Sequence, residues 1–453
     1  MISNETVHII GGGLVGSLLA IGLSNKGAKV HMYEKRKDPR SSGVYEGRSI
    51  NLALSHRGIH ALEYVQPTLS QQVLNAAVPM RGRCVHDTSG NLHFQTYSNK
   101  GEYINSIGRG ALNLLLINAA EQNGVQVQFE SACVGKNERH EWLIETNQVI
   151  QSIPTKEWVF ATDGANSIVR RTLTEEGKII SKLNVLDYSY KELDIPTELA
   201  QRWKSNWESL HIWPREHFML IALPNADGSL TCTLFLPNQH PKDSFELLQK
   251  SEDVFAFFQT YFPDTLACLP DLWAQWEKHP TSQLATLDCG PWFDQNTLCL
   301  GDAAHAIVPF YGQGMNAGFE DVRILLELID KNPLGSSLWE IFYQERKRNT
   351  DAIAYLALQN FLEMRDHVDN DDYLLIKKIE QVIAAYDTGW ESQYTHVSFR
   401  DTPYAEALQL GQYWKRMYQE MMETIPNIKS LNDEVKDTII NIYLDKKTAL
   451  KSS

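Results

Sequence analysis

The apolar run Val7-His-Ile-Ile10 passes directly into Gly11-Gly-Gly13-Leu-Val-Gly16, after which Leu14, Val15, Leu18, Leu19, Ile21 and Leu23 recur at helical spacing up to Asn25-Lys-Gly27. Lys29-Val-His-Met-Tyr-Glu34 then reads as an extended stretch ending on an acid. Strand, glycine turn, helix and strand in this order make one βαβ unit, which commits the chain to a largely parallel, Rossmann-type α/β sheet. The GxGxxG spacing permits a tight turn, a close approach of backbone to a pyrophosphate and close packing of helix on strand. The helix N-terminus adds N–H groups and a positive dipole end. Glu34 stands where an acid can accept bonds from ribose hydroxyls. Neither a second GxGxxG nor a CxxxxC occurs, so one dinucleotide has a fold of its own and any second has none.

At 453 residues the chain needs two or three domains, enough to enclose a large ligand between them. A net charge of −14 argues against non-specific nucleic-acid binding, which requires a cationic surface. The six cysteines are scattered without a CxxC pair, suggesting neither a metal site nor a disulfide framework but reduced thiols in a cytoplasm. No apolar run approaches the roughly 18 residues of a membrane span, and nothing before Val7 resembles a signal peptide.

Further along, residues 105–123 have a helical pattern that Gly124 ends. Val125–Phe129 and Trp158–Ala161 read as strands, the second running into Asp163-Gly164. Between about 180 and 290 the pattern becomes alternating and Trp-rich. There, two apolar runs around Pro224-Asn-Ala-Asp-Gly-Ser229 predict a β-hairpin. Beyond 335 the spacing predicts helices over 338–366, 372–386 and 404–423. The expected architecture is a discontinuous nucleotide-binding domain (1–180 and 291–335), an inserted, mostly antiparallel β-sheet substrate lobe (181–290) and a helical C-terminal region (336–453).

Two more motifs carry chemistry. Asp163-Gly-Ala-Asn-Ser-Ile-Val-Arg170 is a DGxxSxxR pattern at a strand end, and by itself it reads equally well as a helix N-cap. Leu298-Cys-Leu300 delivers Gly301-Asp302 to the C-terminal edge of the sheet, where α/β sheets bind ligands. Pro309, Gly312 and Gly314 then shape a loop whose N–H groups, with the helix starting near Met315, can stabilise negative charge developing on a ligand.

In this order, GxGxxG with Glu34, Asp163-Gly164 and Gly301-Asp302 resemble the single-component flavoprotein aromatic hydroxylases. The resemblance implies non-covalent FAD in a Rossmann-type domain, with Gly11, Gly13, Val15 and Gly16 at the pyrophosphate and Glu34 at the adenosine ribose. It places Asp302 at the ribityl chain, Gly314, Met315 and Asn316 at the flavin ring, and Arg109 toward the phosphates. Lys35, Arg36, Ala53 and Val134 are further implied cofactor contacts, and Asp163 and Gly164 are implied in both FAD and NADPH contacts.

More specific stretches extend the likeness over about residues 5–425, among them Gly47–Ser55, Met80-Arg-Gly-Arg83, Asp187–Leu193, Phe218–Pro224, Val308–Asn316 and Asn360–Arg365. They imply L-kynurenine as the substrate, hydroxylated to 3-hydroxy-L-kynurenine by NADPH and O2 through a flavin C4a-hydroperoxide, with no side-chain acid or base. Arg83 and Tyr97 are implied at the substrate carboxylate, and Asn360 and Tyr404 complete the head-group shell. Ile221, Leu223, Phe235, Pro309, Phe310 and Tyr311 are implied around the ring. Taken singly, Arg83 reads as a surface arginine and the aromatics as core; it is their joint match that makes a site. Mitochondrial hydroxylases of this kind carry a C-terminal membrane anchor. Here Ile439-Ile-Asn-Ile-Tyr-Leu444 makes an amphipathic helix at most, which suggests a bacterial cytoplasmic enzyme.

Overall fold

A computed structural model describes residues 2–42, 51–98, 100–366 and 371–452. Residues 47–50 of the Gly47–Ser55 stretch lie outside them.

Strand Thr6–Ile10 pairs in parallel with Lys29–Tyr33 on one side and Trp158–Ala161 on the other. Gln126–Gln128, Thr297–Cys299 and a short antiparallel Phe293–Asp294 complete a six-stranded sheet. Its central strands are continuous apolar runs because helices cover them, as parallel sheets require. Val7, Ile9, Val159, Phe160, Leu298 and Cys299 are fully buried. Helix Leu14–Asn25 packs with Arg109–Gln122 and Gly314–Lys331 in the same core. This topology brings four distant segments to one sheet edge: Gly11, Glu34, Thr162-Asp163 and Gly301-Asp302 each follow a parallel strand.

The second sheet has seven strands, in the order Ser282–Gly290, Ile180–Ile195, Leu230–Pro237, Phe218–Pro224, Ser209–Arg215, Gly82–His86 and Leu92–Thr96. The hairpin is present, with Pro224 opposite Leu230 and the Asp227 carboxylate accepting the Ser229 N–H at 2.9 Å.

Three features differ from the sequence expectation. Gly82–His86 joins this sheet in parallel with Ser209–Arg215, so the seven-stranded sheet also draws on the segment read as part of 1–180. Helices Ser251–Tyr261 and Leu272–Lys278 interrupt the region read as strands. Their Val254, Phe257, Phe258, Leu272 and Trp276 share a core with Trp213, Leu220 and Leu234 of the sheet. Finally, Ile104–Gly108 is a strand and the helix begins only at Arg109. The strand lies between Asn51–Leu54 and Val78–Met80 with both its faces buried, a tertiary demand invisible in helical periodicity.

The C-terminal region consists of helices Ser336–Asp366, Asp371–Tyr386, Gln393–Phe399, Tyr404–Thr424 and Asp433–Ser452. In the last of these, Ile439 and Tyr443 are fully buried in a core shared with Ile379, Ile383, Met417 and Met421. The tail therefore folds back on its own region, and no described helix is long and apolar enough to cross a membrane.

Candidate active site

At the glycine turn, Gly11 has φ +107°, and a Cβ there would meet the Thr162 carbonyl oxygen at 2.6 Å. At Gly16 a Cβ would lie 2.0 Å from the Gly11 carbonyl oxygen, so helix and strand touch through backbone alone. A Cβ on Gly13 would meet no atom of the described residues within 4 Å. Gly13 precedes the first turn of Leu14–Asn25, where no side chain caps the helix. The buried Glu34 carboxylate accepts the Gly12 N–H at 3.0 Å and the Arg36 N–H at 2.9 Å, which fixes it at the strand end. Lys35 and Arg36 are exposed beside it, Val15 packs toward Gly301, and Val134 is 45% exposed on strand Ser131–Lys136.

Ser167 caps helix Ile168–Glu175, its hydroxyl accepting the Arg170 N–H at 3.0 Å, and Asp163 Oδ2 accepts the Ile168 N–H at 2.8 Å. Its Oδ1, however, is buried and has no partner among the described residues. Burial pushes this carboxyl above its ordinary value, against the Ser167 and backbone bonds that oppose the rise. Arg170 bridges the second and third motifs, donating to the carbonyls of Ala165 at 2.6 Å and Ala303 at 2.9 Å. Space at Gly13, an uncapped helix start, Glu34 and an unmet oxygen of Asp163 lie on one sheet edge. This donor and acceptor set suits an extended dinucleotide such as FAD.

The loop after Asp302 is fixed from below. Gly312 has φ +66° and adjoins Ala53, to whose carbonyl Asn316 Nδ2 donates at 2.8 Å. Asn316 Oδ1 accepts the Ser55 N–H at 3.0 Å. The Asn316 side chain thus holds the loop. Under it, Arg57 pairs with Glu320 at 2.5 Å, and Arg346 pairs with Glu320 and Asp321, each at 2.7 Å. Asp321 also lies 2.5 Å from His305 Nε2 and accepts the Gly301 N–H at 3.3 Å. Burial opposes charge on Glu320 and Asp321. The arginines and His305 outweigh it, and both carboxyls stay below their ordinary values. Such a network is costly to break because any partner left alone is a buried charge. Arg109 opens its helix just after Gly108, which pairs with Asn51 at the start of the strand bearing Ala53.

Beyond the loop, Phe310 meets Phe235 at 4.8 Å and stacks on Phe361 at 4.1 Å between ring centres. Asn360 Nδ2 donates to the Phe310 carbonyl at 2.6 Å, and Pro309 is exposed at the head of this turn. Ile221 and Tyr311 edge this cluster, and Leu223 belongs to a neighbouring one with Met80, Ile104 and Phe399 that Tyr97 and Tyr394 flank. Arg83 stands at their junction, 4.8 Å from the Tyr394 ring centre and 5.6 Å from that of Tyr97. Tyr394 stacks on Tyr97 at 5.8 Å and on Tyr311 at 5.5 Å. Burial, then the nearby Tyr394, raises the Tyr97 hydroxyl above its ordinary value, while Arg83 pulls the other way. Tyr311 is likewise raised, chiefly by burial.

Tyr404 is placed differently from the sequence expectation. It is fully buried, its hydroxyl donates to Gln313 Oε1 at 2.8 Å and its ring lies 4.0 Å from the Arg57 guanidinium. It buttresses the loop from behind, and the tyrosine that joins Tyr97 at Arg83 is Tyr394. Sequence reasoning missed Tyr394 because Gln393–Phe399 is too short for a helical period to stand out. The available signal was Ser392, whose hydroxyl accepts the Thr395 N–H as an N-cap. Phe361 and the Arg57–Glu320–Arg346–Asp321 network were missed as well, since charges on helices read as solvated faces.

Comparison with known proteins bears on this arrangement. A family model described as an FAD binding domain matches residues 4–335. Kynurenine 3-monooxygenase of Cytophaga hutchinsonii is 49% identical over 97% of this chain and 98% of its own length. The enzymes of that name from Flavobacterium johnsoniae and Legionella pneumophila are 41% and 38% identical, each over at least 96% of both chains. Among solved structures, 2-methyl-3-hydroxypyridine-5-carboxylic acid oxygenase superposes with a TM-score of 0.67 at 18% identity, covering 81% of this chain and 94% of that one. CtdE, solved with FAD and a substrate, gives 0.66 at 17% identity, covering 90% and 100%. These two likenesses are of fold. The relatives alike along their whole length carry the assignment further: the chain belongs to the kynurenine 3-monooxygenases, a family of FAD-dependent monooxygenases.

Proposed function

We propose that the protein hydroxylates L-kynurenine at ring carbon 3, with NADPH as reductant and O2 as co-substrate. The observation that carries this reading is Arg83, a cation against the stacked Tyr97 and Tyr394 rings and next to the aromatic cluster of Phe235, Phe310 and Tyr311. A substrate fitting it has an anionic head and a flat ring. The guanidinium fork pairs with a carboxylate in two parallel hydrogen bonds. Tyr97 and Tyr311, with hydroxyls raised by burial, remain protonated at neutral pH and can only donate to an anion. Phe235, Phe310 and Ile221 exclude water from the ring, and Asn360 holds the Phe310 turn in place.

Glu34, Asp163, Asp302 and the N–H groups near Gly13 and Gly314 are the groups that would hold FAD. Bound there, FAD supplies electron uptake from NADPH and activation of oxygen. The chain's own contribution is binding, orientation and dehydration, with no side-chain base. The test offers NADPH and O2 to the FAD-loaded protein with either L-kynurenine or 2-aminoacetophenone, which keeps the arylamine ring and lacks the carboxylate. L-Kynurenine is expected to stimulate NADPH oxidation at far lower concentration. Equal stimulation by both would remove Arg83 from substrate recognition.

A further inference from the structure

His56 and His60 stand four residues apart on helix His56–Val65 and so project from one face. Asp401, in the segment between helices Gln393–Phe399 and Tyr404–Thr424, meets both. Its Oδ2 is 3.2 Å from His56 Nε2 and its Oδ1 3.1 Å from His60 Nδ1. The candidate donor atoms all lie within 4.8 Å of one another. Zinc-to-ligand bonds of about 2.0–2.2 Å in a tetrahedron set donors about 3.4 Å apart, so closing this cluster on an ion takes small side-chain adjustments. Histidines at i and i+4 are how a helix offers two imidazoles to one metal, and a carboxylate makes a third ligand with water as the fourth. The three side chains are 41%, 39% and 51% exposed, so an ion can enter from solvent. As ion pairs alone, contacts this exposed contribute little.

The other groupings of histidine with cysteine or acid lack this openness. Cys84, His86 and His211 are buried, His86 Nε2 and His211 Nδ1 lie 2.9 Å apart in a mutual hydrogen bond, and Trp213 stacks on His86 at 3.9 Å. Near His217, the His240 Nδ1 accepts the Asp243 N–H at 3.4 Å, and the Asp243 carboxylate accepts the Tyr261 hydroxyl at 3.0 Å.

We propose that His56, His60 and Asp401 bind a divalent transition-metal ion of the zinc class. The ion would staple the 400–403 segment onto helix His56–Val65. That junction already exists, because Arg57 of the same helix donates to the carbonyls of Thr402 and Val397. The segment continues from the helix that carries Tyr394 and Phe399, so occupancy fixes one wall of the aromatic cluster from outside. Neither the site nor its test depends on which substrate the enzyme takes.

The experiment uses tag-free, FAD-loaded protein stripped with EDTA, titrated with zinc chloride against a colorimetric chelator, with melting temperatures taken in parallel. The wild type is expected to bind one ion per chain at micromolar affinity and to melt higher with zinc. His60→Gln and Asp401→Asn should each weaken binding at least as much as the roughly 10–100-fold that losing an outer-shell partner costs and abolish the rise in melting temperature, while retaining flavin. His240→Gln should bind as the wild type does. Absence of saturable binding, undiminished binding in His60→Gln, or equal loss in His240→Gln would overturn the proposal.

Discussion

The Arg83 guanidinium carbon lies 4.8 Å from the centre of the Tyr394 ring, although one residue sits on a strand of the seven-stranded sheet and the other on a short helix of the C-terminal region. The two regions therefore meet at a cation held over an aromatic face, with Tyr97 stacked against that same ring.

Replacing Arg83 with Met removes a charge-assisted pair worth about 1.5–3 kcal/mol, which corresponds to a rise of about 10–150-fold in KM for L-kynurenine. NADPH oxidation stimulated by 2-aminoacetophenone should hardly change. Arg83→Lys should recover only part of the loss, because an ammonium cannot form the planar two-point pair. Steady-state kinetics with both compounds measure this.

Tyr394→Leu takes away the face beneath the guanidinium. A cation–π contact of about 0.5–2 kcal/mol predicts a KM increase of about 2–30-fold. Tyr394→Phe keeps the ring and should stay near wild type. Similar losses in both variants would assign the effect to the hydroxyl.

Gly13→Ala and Gly16→Ala separate cofactor binding from folding. A methyl at residue 13 meets no atom of the described residues within 4 Å, so the apoprotein should melt as the wild type does while flavin content falls. A methyl at residue 16 would lie 2.0 Å from the Gly11 carbonyl oxygen, so folding itself should suffer. Flavin absorbance per protein, read beside apoprotein melting temperatures, distinguishes the two.

Much of the cofactor edge was legible in the sequence because it depends on local rules. A strand followed by Gly11-x-Gly13-x-x-Gly16, or by Gly301-Asp302, announces a turn at a sheet edge wherever it occurs. Helices 338–366 and 404–423 were legible from their period, and their observed bounds, Ser336–Asp366 and Tyr404–Thr424, differ by no more than two residues. What was not legible depends on chain-distant contacts. Gly82–His86 becomes a strand of the seven-stranded sheet only by pairing with Ser209–Arg215. Arg57 and Arg346 look like surface cations until Glu320 and Asp321 are placed between them. The exchange of Tyr404 for Tyr394 has the same origin: one tyrosine lies in a short helix and the other opens the next, and only packing decides which ring meets Arg83.

His211 offers a test at acidic pH. Burial, and then the neighbouring His86, hold its imidazole down at about 3, against an ordinary 6.5. The unfolded chain therefore takes up this proton first. The stabilisation is complete above about 6.5 and is lost as pH falls toward 3, with a slope of up to about 1.4 kcal/mol per pH unit. Between pH 7 and 5 the melting temperature of His211→Asn should fall less steeply than that of the wild type. Parallel slopes would show that this imidazole does not couple to folding.

If Arg83 orients L-kynurenine with its ring among Phe235, Phe310 and Tyr311, product analysis under 18O2 is the most direct measurement. FAD-loaded protein with NADPH and L-kynurenine should form 3-hydroxy-L-kynurenine carrying one labelled oxygen. NADPH loss without a hydroxylated product, or hydroxylation at another ring carbon, would contradict it.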